Sequence, residues 1–175
     1  MSNQPDELNL PPFPSMSWVD YDWWEGEIDL DCGGGAALSV TPYDPEVSKQ
    51  PEAFQSEAMA FHLTRGSDVT FAVLAALLPY YQKMRPRYLN FLGEQADTLM
   101  PEVQTADELR SLIDLRHVHI HPWSRDGIGY VGLQFGCAWD VGHGLGFMMH
   151  LDRVVQIGGA DVSFAWEPVE SSPSS

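Results

Sequence analysis

Basic residues are scarce in this chain. Its 175 residues include 25 Asp and Glu but only nine Lys and Arg, which gives a formal net charge of −16. A surface this acidic repels the phosphates of nucleic acids and the anionic headgroups of membranes, so we expect neither as a direct partner. The same charge would speed association with a basic protein, through long-range attraction that salt weakens.

Long apolar runs and cysteine clusters are also missing. The longest uncharged apolar run, residues 71–81, is far shorter than the roughly 20 residues that cross a bilayer. The Pro-rich N-terminus has no secretory-signal pattern. Cys32 and Cys137 form no Cys-x-x-Cys pair, which predicts reduced, structural thiols rather than a zinc ribbon or a disulfide framework. We therefore expect a cytoplasmic protein without a cofactor.

The composition predicts one folded domain. Hydrophobic residues make up 44% of the chain and aromatic residues 11%, which is enough for a sizeable core. Four prolines among the first 15 residues remove backbone donors, so residues 1–17 are expected to form an extended tail. We place the domain at residues 18–167 and expect residues 168–175 to be frayed.

The N-terminal part of the domain has few clear periodicities. Residues 18–30 and 36–41 are predicted to be extended, and the proline-bounded segment 42–51 is predicted to be a loop. Residues 56–64 fit a helix or a strand. The Arg65-Gly66 turn that follows them slightly favours a strand.

Helical periodicity is clear from about Val69, with Ser67 or Asp68 as the N-cap. Its buried face is predicted to contain four residues at the i, i+3, i+4 and i+7 positions: Phe71, Leu74, Ala75 and Leu78. Pro79 and Pro86 should kink or split this helix before it ends near Gly93, because each lacks a backbone N–H.

The apolar period changes to two in the C-terminal third. Thr105 and Glu108 form a capping-box pattern that predicts a short helix, and alternating apolar residues then predict strands. These strands lie at about 115–121, 129–139, 145–151, 154–157 and 162–166. We therefore predict an α+β domain, with an antiparallel meander sheet and with one longer, kinked helix and one short helix packed on one face.

Three histidines share one face of the first of these strands: His117, His119 and His121. Residues i and i+2 of a strand lie about 6.6–6.8 Å apart, so two imidazoles could share a metal ion with Asp140, His143 or His150. A metal-dependent enzyme or metal sensor is thus one hypothesis. The alternative is that the histidines face solvent or a partner on an edge strand and bind no metal.

Cys137, Asp140 and His143 follow one another at three-residue intervals, as a nucleophile with its base and orienting group could. Cys137, however, falls on the apolar face of its strand, whereas a reactive thiol is partly exposed in electropositive surroundings. A structural turn explains the pattern better. In this interpretation Asp140 and His143 bond the turn backbone, and Gly144 and Gly146 supply the unusual dihedral angles.

The acidic residues cluster near the N-terminus, where residues 1–57 carry twelve of the 25 acids and one of the nine bases. Within residues 18–31 these acids alternate with aromatic residues. Such a segment is either a solvated acidic edge or a recognition surface, since tryptophans are enriched at interface hot spots. The predicted binding residues are Asp20, Asp22, Trp23, Trp24, Glu25, Glu27, Asp29 and Asp31.

The run Cys137-x-Trp139-Asp140-x-x-His143-Gly-Leu-Gly146, followed by an Asp-Arg-Val turn, resembles the mark of a bacterial family of uncharacterised domains. The resemblance is close over residues 105–165 and loose over 69–92. The family often has acids just before the histidine, where this chain has Val141 and Gly142. If those acids bind a cation in other members, the site is impaired in this chain.

Members of that family occur in polymorphic-toxin and type VI secretion loci, where small acidic proteins commonly act as immunity partners of nuclease toxins. The resemblance therefore implies a non-catalytic immunity protein. We expect it to bind a basic toxin domain in the manner of a DNA mimic, because a cleft that holds phosphates must be positive. Residues 18–31 would provide the binding surface and the C-terminal sheet the scaffold.

Overall fold

The computed structural model describes residues 6–20, 22–30 and 34–165. The strands in these ranges are β1 Glu7–Leu8, β2 Met16–Val19, β3 Trp23–Leu30, β4 Gly34–Val40, β5 Ile113–Arg125, β6 Ile128–Cys137, β7 Leu145–His150 and β8 Arg153–Gly158. The α-helices are α1 Ala53–Thr64, α2 Gly66–Leu92 and α3 Ala96–Leu99. Short 3₁₀ helices span Gly93–Gln95, Ala106–Leu112 and Ala160–Phe164. The predicted α+β class is confirmed.

The described strands form one eight-stranded sheet in sequence order. All neighbouring strands are antiparallel except β4 and β5, which are parallel. A parallel pair needs a long crossover, and the segment containing α1 and α2 provides it. The helix-covered face of the sheet has one fully buried residue on each of five consecutive strands: Trp24, Leu38, Val118, Leu133 and Phe147. We call the opposite side of the sheet the outer face.

Residues 56–64 belong to α1, so the strand favoured by the sequence is wrong. The helix start is marked by Gln55, whose side-chain oxygen accepts a hydrogen bond from the Glu52 backbone N–H at 2.9 Å. The Gln55 amide also donates to the carbonyls of Thr41 and His121, at 2.7 and 2.9 Å. These bonds fasten α1 to Thr41, directly after β4, and to His121 within β5. Glu52-x-x-Gln55 after a proline was the available sequence signal.

Helix α2 begins at Gly66, earlier than predicted, and is not split at either Pro79 or Pro86. It ends as predicted, at Gly93, where φ is 55°. The predicted buried face is wrong for Phe71, which is 76% exposed, and for Ala75. Because residues 69–78 are mostly apolar, periodicity alone did not select a face. The buried face instead follows an i, i+4 row, with the predicted Leu74 beside it: Val69, Val73, Leu77 and Tyr81.

The first 17 residues do not form an extended tail where the structure describes them. Strand β1 pairs with β2, and Leu8, Phe13 and Met16 are buried. Prolines 11, 12 and 14 lie in the connection between these two strands, where few ladder bonds are needed. Residues 1–5 and the predicted frayed tail, 168–175, lie outside the described residues.

The predicted strand at 162–166 is wrong, since the described part of this segment belongs to the 3₁₀ helix Ala160–Phe164 on the outer face. The short helix predicted after Thr105 is confirmed as the 3₁₀ helix Ala106–Leu112, with a capping box between Thr105 and Glu108. Within the described ranges, we find no helix with the length and apolar character needed to span a membrane.

Candidate functional site

The acids of β3 line up on the outer face. Strand alternation places Glu25, Glu27 and Asp29 on that face, exposed to solvent, while Ile28 and Leu30 point into the core. We call these three residues the carboxylate row. Asp20 and Asp22 are exposed in the turn before β3. The other predicted acid of this segment, Asp31, lies outside the described residues, as do Tyr21 and Cys32.

Trp24 is a core residue, so its prediction as a binding residue is wrong. Its side chain is fully buried, and its indole N–H donates to the Lys49 carbonyl at 2.6 Å. The ring packs edge-on against Trp18, with ring centroids 5.0 Å apart. Lys49 in turn lies over the Trp18 ring, 4.8 Å from its centroid. Adjacent aromatic residues on a strand point to opposite faces, which separates Trp24 from Trp23.

Trp23 lies on the outer face, half-buried, beside the carboxylate row. Its indole N–H donates to Glu25 Oε1 at 2.9 Å. Together with Tyr43, Trp123 and Tyr130 it lines a cavity of about 900 Å³, which we call the aromatic groove. Asp22 places a carboxylate in the same groove.

The groove residues beyond Trp23 were missed from the sequence, since Tyr43 and Trp123 are 80 positions apart. Each follows a proline, Pro42 or Pro122, and both prolines also line the groove. Tyr43 remains 70% exposed. The signal available in the sequence was a proline followed directly by an aromatic residue.

We predict different effects for the two neighbouring tryptophans. Trp24→Phe loses a buried hydrogen bond and part of a core ring, so the free energy of unfolding should fall by about 2 kcal/mol. Trp23→Phe loses only a hydrogen bond near the surface, so the free energy of unfolding should fall by less than about 0.5 kcal/mol. Urea denaturation measures both. Equal losses would contradict the assignment of Trp24 to the core and Trp23 to the surface.

The three histidines of β5 form an imidazole ladder on the outer face. The rings of His117 and His119 are stacked at 3.9 Å, and His121 follows at 6.4 Å from His119. The edge-strand interpretation is wrong, because β5 is paired on both sides, with β4 and β6. The 3₁₀ helix Ala160–Phe164 covers the end of the ladder that His121 forms. There, His121 Nε2 donates a hydrogen bond to the Ser163 carbonyl at 2.8 Å.

Nitrogens of His119 and His121 are engaged in hydrogen bonds, whereas the buried Nε2 of His117 has no partner among the described residues. Ser39 Oγ lies 2.8 Å from His119 Nδ1, and Gln134 Oε1 lies 3.5 Å from His119 Nε2. Burial lowers the pKa of His119 to about 3 and that of His121 to about 4. In the part of the chain that the structure describes, no group of three or more His, Cys, Asp or Glu could hold a metal ion. The metal hypothesis therefore lacks a supporting cluster.

The β6–β7 loop contains the predicted structural turn. Asp140 Oδ1 accepts hydrogen bonds from the His143 backbone N–H at 3.1 Å and from His143 Nδ1 at 2.9 Å. Gly144 has a φ of 65° and donates its backbone N–H to the Asp140 carbonyl at 3.0 Å. Gly146, which was predicted to belong to this turn, is not part of it. It lies in β7, where a Cβ would meet Ala160 O and Ser163 N at 3.0 Å.

Cys137 is not placed to act as a nucleophile with His143. Burial raises the pKa of its thiol to about 11, and its Sγ contacts the Asp140 backbone carbonyl at 3.5 Å rather than a base. The residue that the sequence missed at this site is Tyr88 of α2. Its hydroxyl donates to Asp140 Oδ2 at 2.8 Å, which joins the loop to the helix.

The chain matches a family described as a domain of unknown function, DUF6985, over residues 15–164. No curated protein and no solved structure matches the chain.

Proposed function

Because the chain belongs to the DUF6985 family, whose function is unknown, we propose a function from the geometry of its outer face. We propose that it is an immunity-type protein that binds a basic bacterial toxin domain and blocks it without catalysis. The observation that carries this proposal is the carboxylate row beside the aromatic groove. Both lie on one continuous part of the sheet surface.

The carboxylate row suits a target that holds phosphates. Glu25, Glu27 and Asp29 occupy alternate positions of one strand, so neighbouring carboxylates are spaced by roughly 7 Å along the row. A nuclease cleft carries Lys and Arg side chains to neutralise phosphates. Carboxylates presented in a row can pair with several of these side chains at once and exclude the nucleic acid from them. This is the physical basis of the DNA-mimic hypothesis.

The aromatic groove suits one basic side chain of that partner. A guanidinium or ammonium group over the faces of Trp23 and Trp123 gains a cation–π interaction, and Asp22 supplies the countercharge. Arginine gains more than lysine because its planar fork also stacks and bonds carboxylates bidentately. The groove therefore anchors the complex, while the surrounding acids speed its formation.

Binding kinetics test the contribution of the carboxylate row. The binding partner for this test is a basic toxin domain from a neighbouring gene. Glu25→Gln, Glu27→Gln and Asp29→Asn combined should lower its association rate by about tenfold at low salt. The matched control changes three exposed acids elsewhere: Glu57→Gln, Glu94→Gln and Asp152→Asn. It removes the same charge but should lower the rate much less.

Trp23→Ala tests the groove separately. It should weaken the complex by about 2 kcal/mol or more, mostly through faster dissociation, because interface hot spots act chiefly on the dissociation rate. Biolayer interferometry with the purified toxin domain gives both rates. An association rate indifferent to salt, or a wild-type chain that neither binds the toxin nor protects cells from it, would contradict the proposal.

A further inference from the structure

A second cavity, of about 590 Å³, opens away from the outer face, between α2 and the β6–β7 loop. Its volume is in the range of small-molecule sites, and its walls are mainly aromatic and aliphatic. The wall residues include Tyr80, Met84, Phe91, Leu92, Trp139 and Leu145. Phe91 remains 88% exposed at the mouth. The cavity has no part in the proposed toxin interface.

A fixed imidazole stands at the rim of this cavity. Asp140 Oδ1 holds His143 by Nδ1, and Tyr88 donates to the other carboxylate oxygen. Nδ1 therefore carries a proton, and in the singly protonated ring Nε2 has a lone pair that can accept a hydrogen bond. No residue in the described ranges is hydrogen-bonded to Nε2. Although 86% of the His143 side chain is exposed, Asp140 restricts its orientation.

Asp140 remains charged but is already engaged. Burial alone would raise its pKa, but hydrogen bonds from Tyr88 and His143 outweigh burial and lower it. Burial and the bond to Asp140 raise the pKa of Tyr88 to about 12, so its hydroxyl keeps its proton and donates. The Asp140 side chain is only 16% exposed. A molecule that enters the cavity thus meets the imidazole and the aromatic walls before it meets the carboxylate.

Arg87 supplies a positive charge to the same cavity. It lies on α2, one position before Tyr88, and lines the cavity with its side chain exposed. Among the described residues, no carboxylate lies within 4 Å of it to form an ion pair. The Arg87 guanidinium therefore lies next to an apolar cavity without a carboxylate partner among the described residues. It favours an anionic ligand, for which a guanidinium is a strong partner.

We propose that this cavity binds a small aromatic carboxylate that also bears an N–H or O–H donor. The ring packs against Trp139 and Met84, the carboxylate pairs with Arg87, and the donor bonds Nε2 of His143. This ligand site is independent of the proposed toxin interface, so either can fail without the other.

Binding of indole-3-acetate to the full chain tests this site, with methyl-labelled Met84 observed by NMR. We expect a saturable shift with a dissociation constant below about 1 mM. Indole-3-acetamide, which lacks the charge, should bind at least tenfold more weakly. Naphthalene-1-acetate, which lacks the N–H donor, should bind several-fold more weakly.

Arg87→Gln should weaken indole-3-acetate binding at least tenfold, while Lys83→Gln should leave it unchanged. Lys83 is the matched control because it is exposed on the same helix but does not line the cavity. The proposal is overturned if indole-3-acetate gives no saturable shift, if the amide binds as tightly as the acid, or if both variants behave alike. Equal binding of the naphthalene compound would overturn the role of His143.

Discussion

Lowering the pH from 7.5 to 5 should reduce the free energy of unfolding by roughly 6 kcal/mol. The cause is three histidines, two buried and one half-buried, whose pKa values are lowered by burial: His62 to about 4, His119 to about 3 and His121 to about 4. In the unfolded chain each titrates near its ordinary value of about 6.5. At pH values between the folded-state and unfolded-state pKa values, the unfolded chain binds protons at these histidines and the folded chain does not.

The sign follows from this difference in proton uptake. The stabilisation is fully present above pH 6.5 and is lost as the pH falls toward the folded-state pKa values. At pH 5 each histidine accounts for roughly 2 kcal/mol. A typical domain is stable by only about 5–15 kcal/mol, so a loss of roughly 6 kcal/mol removes a large share of that stability.

Urea denaturation at pH 7.5, 6 and 5 measures this dependence. His62→Leu removes one titrating group from the core and should reduce the loss between pH 7.5 and 5 by about 2 kcal/mol. His62 Nδ1 donates a hydrogen bond to the Ala58 carbonyl at 3.0 Å, while its buried Nε2 has no partner. Replacing His62 by leucine therefore removes only one hydrogen bond. His150→Gln is the control, because this histidine lies outside the core. An unchanged dependence in His62→Leu would refute this explanation.

Gly132→Ala should destabilise the protein by about 3 kcal/mol or more. Gly132 lies on the outer face of β6, and a Cβ built there would overlap the backbone carbonyl of Ser163. It would also lie 3.0 Å from His121 Nε2. A backbone oxygen cannot move aside as a flexible side chain can. The 3₁₀ helix Ala160–Phe164 must therefore lift from the sheet, which breaks the bond between His121 and Ser163.

Chemical denaturation together with hydrogen exchange at residues 160–164 measures this effect. Faster exchange confined to these residues and their neighbours would show that the 3₁₀ helix has detached. Gly142→Ala is the matched control, because a Cβ there meets nothing within 4 Å and its φ is not positive. It should change the stability by less than about 0.5 kcal/mol. A Gly132→Ala protein as stable as the Gly142→Ala protein would contradict the packing described here.

Local patterns predicted most of the individual elements. Alternation placed Val118 and Ile120 opposite the histidines, the Thr105 capping box marked the short helix, and Gly93 marked the end of α2. These patterns depend on neighbours a few residues apart, so the sequence contains them directly. The predicted α+β class follows from the order of such elements.

Predictions that depended on which face is covered failed. Phe71 and Leu74 both fit an apolar stripe, and only packing against the sheet selected one of them. Trp23 and Trp24 are adjacent and chemically alike, yet the pairing of β3 with β2 and β4 buries one and leaves the other beside the groove. The parallel contact between β4 and β5 made β5 an inner strand and removed its histidines from the edge.

The sequence by itself determined the charge, the position of most strands and helices, and the acids that the outer face presents. Only the tertiary structure decided which distant residues meet. It joined Tyr88 to Asp140 across 52 positions, brought Tyr43 to Trp123, and set Ser163 against Gly132. The physical reason is that periodicity reports the two sides of an element, whereas contacts between elements depend on the packing of the whole chain.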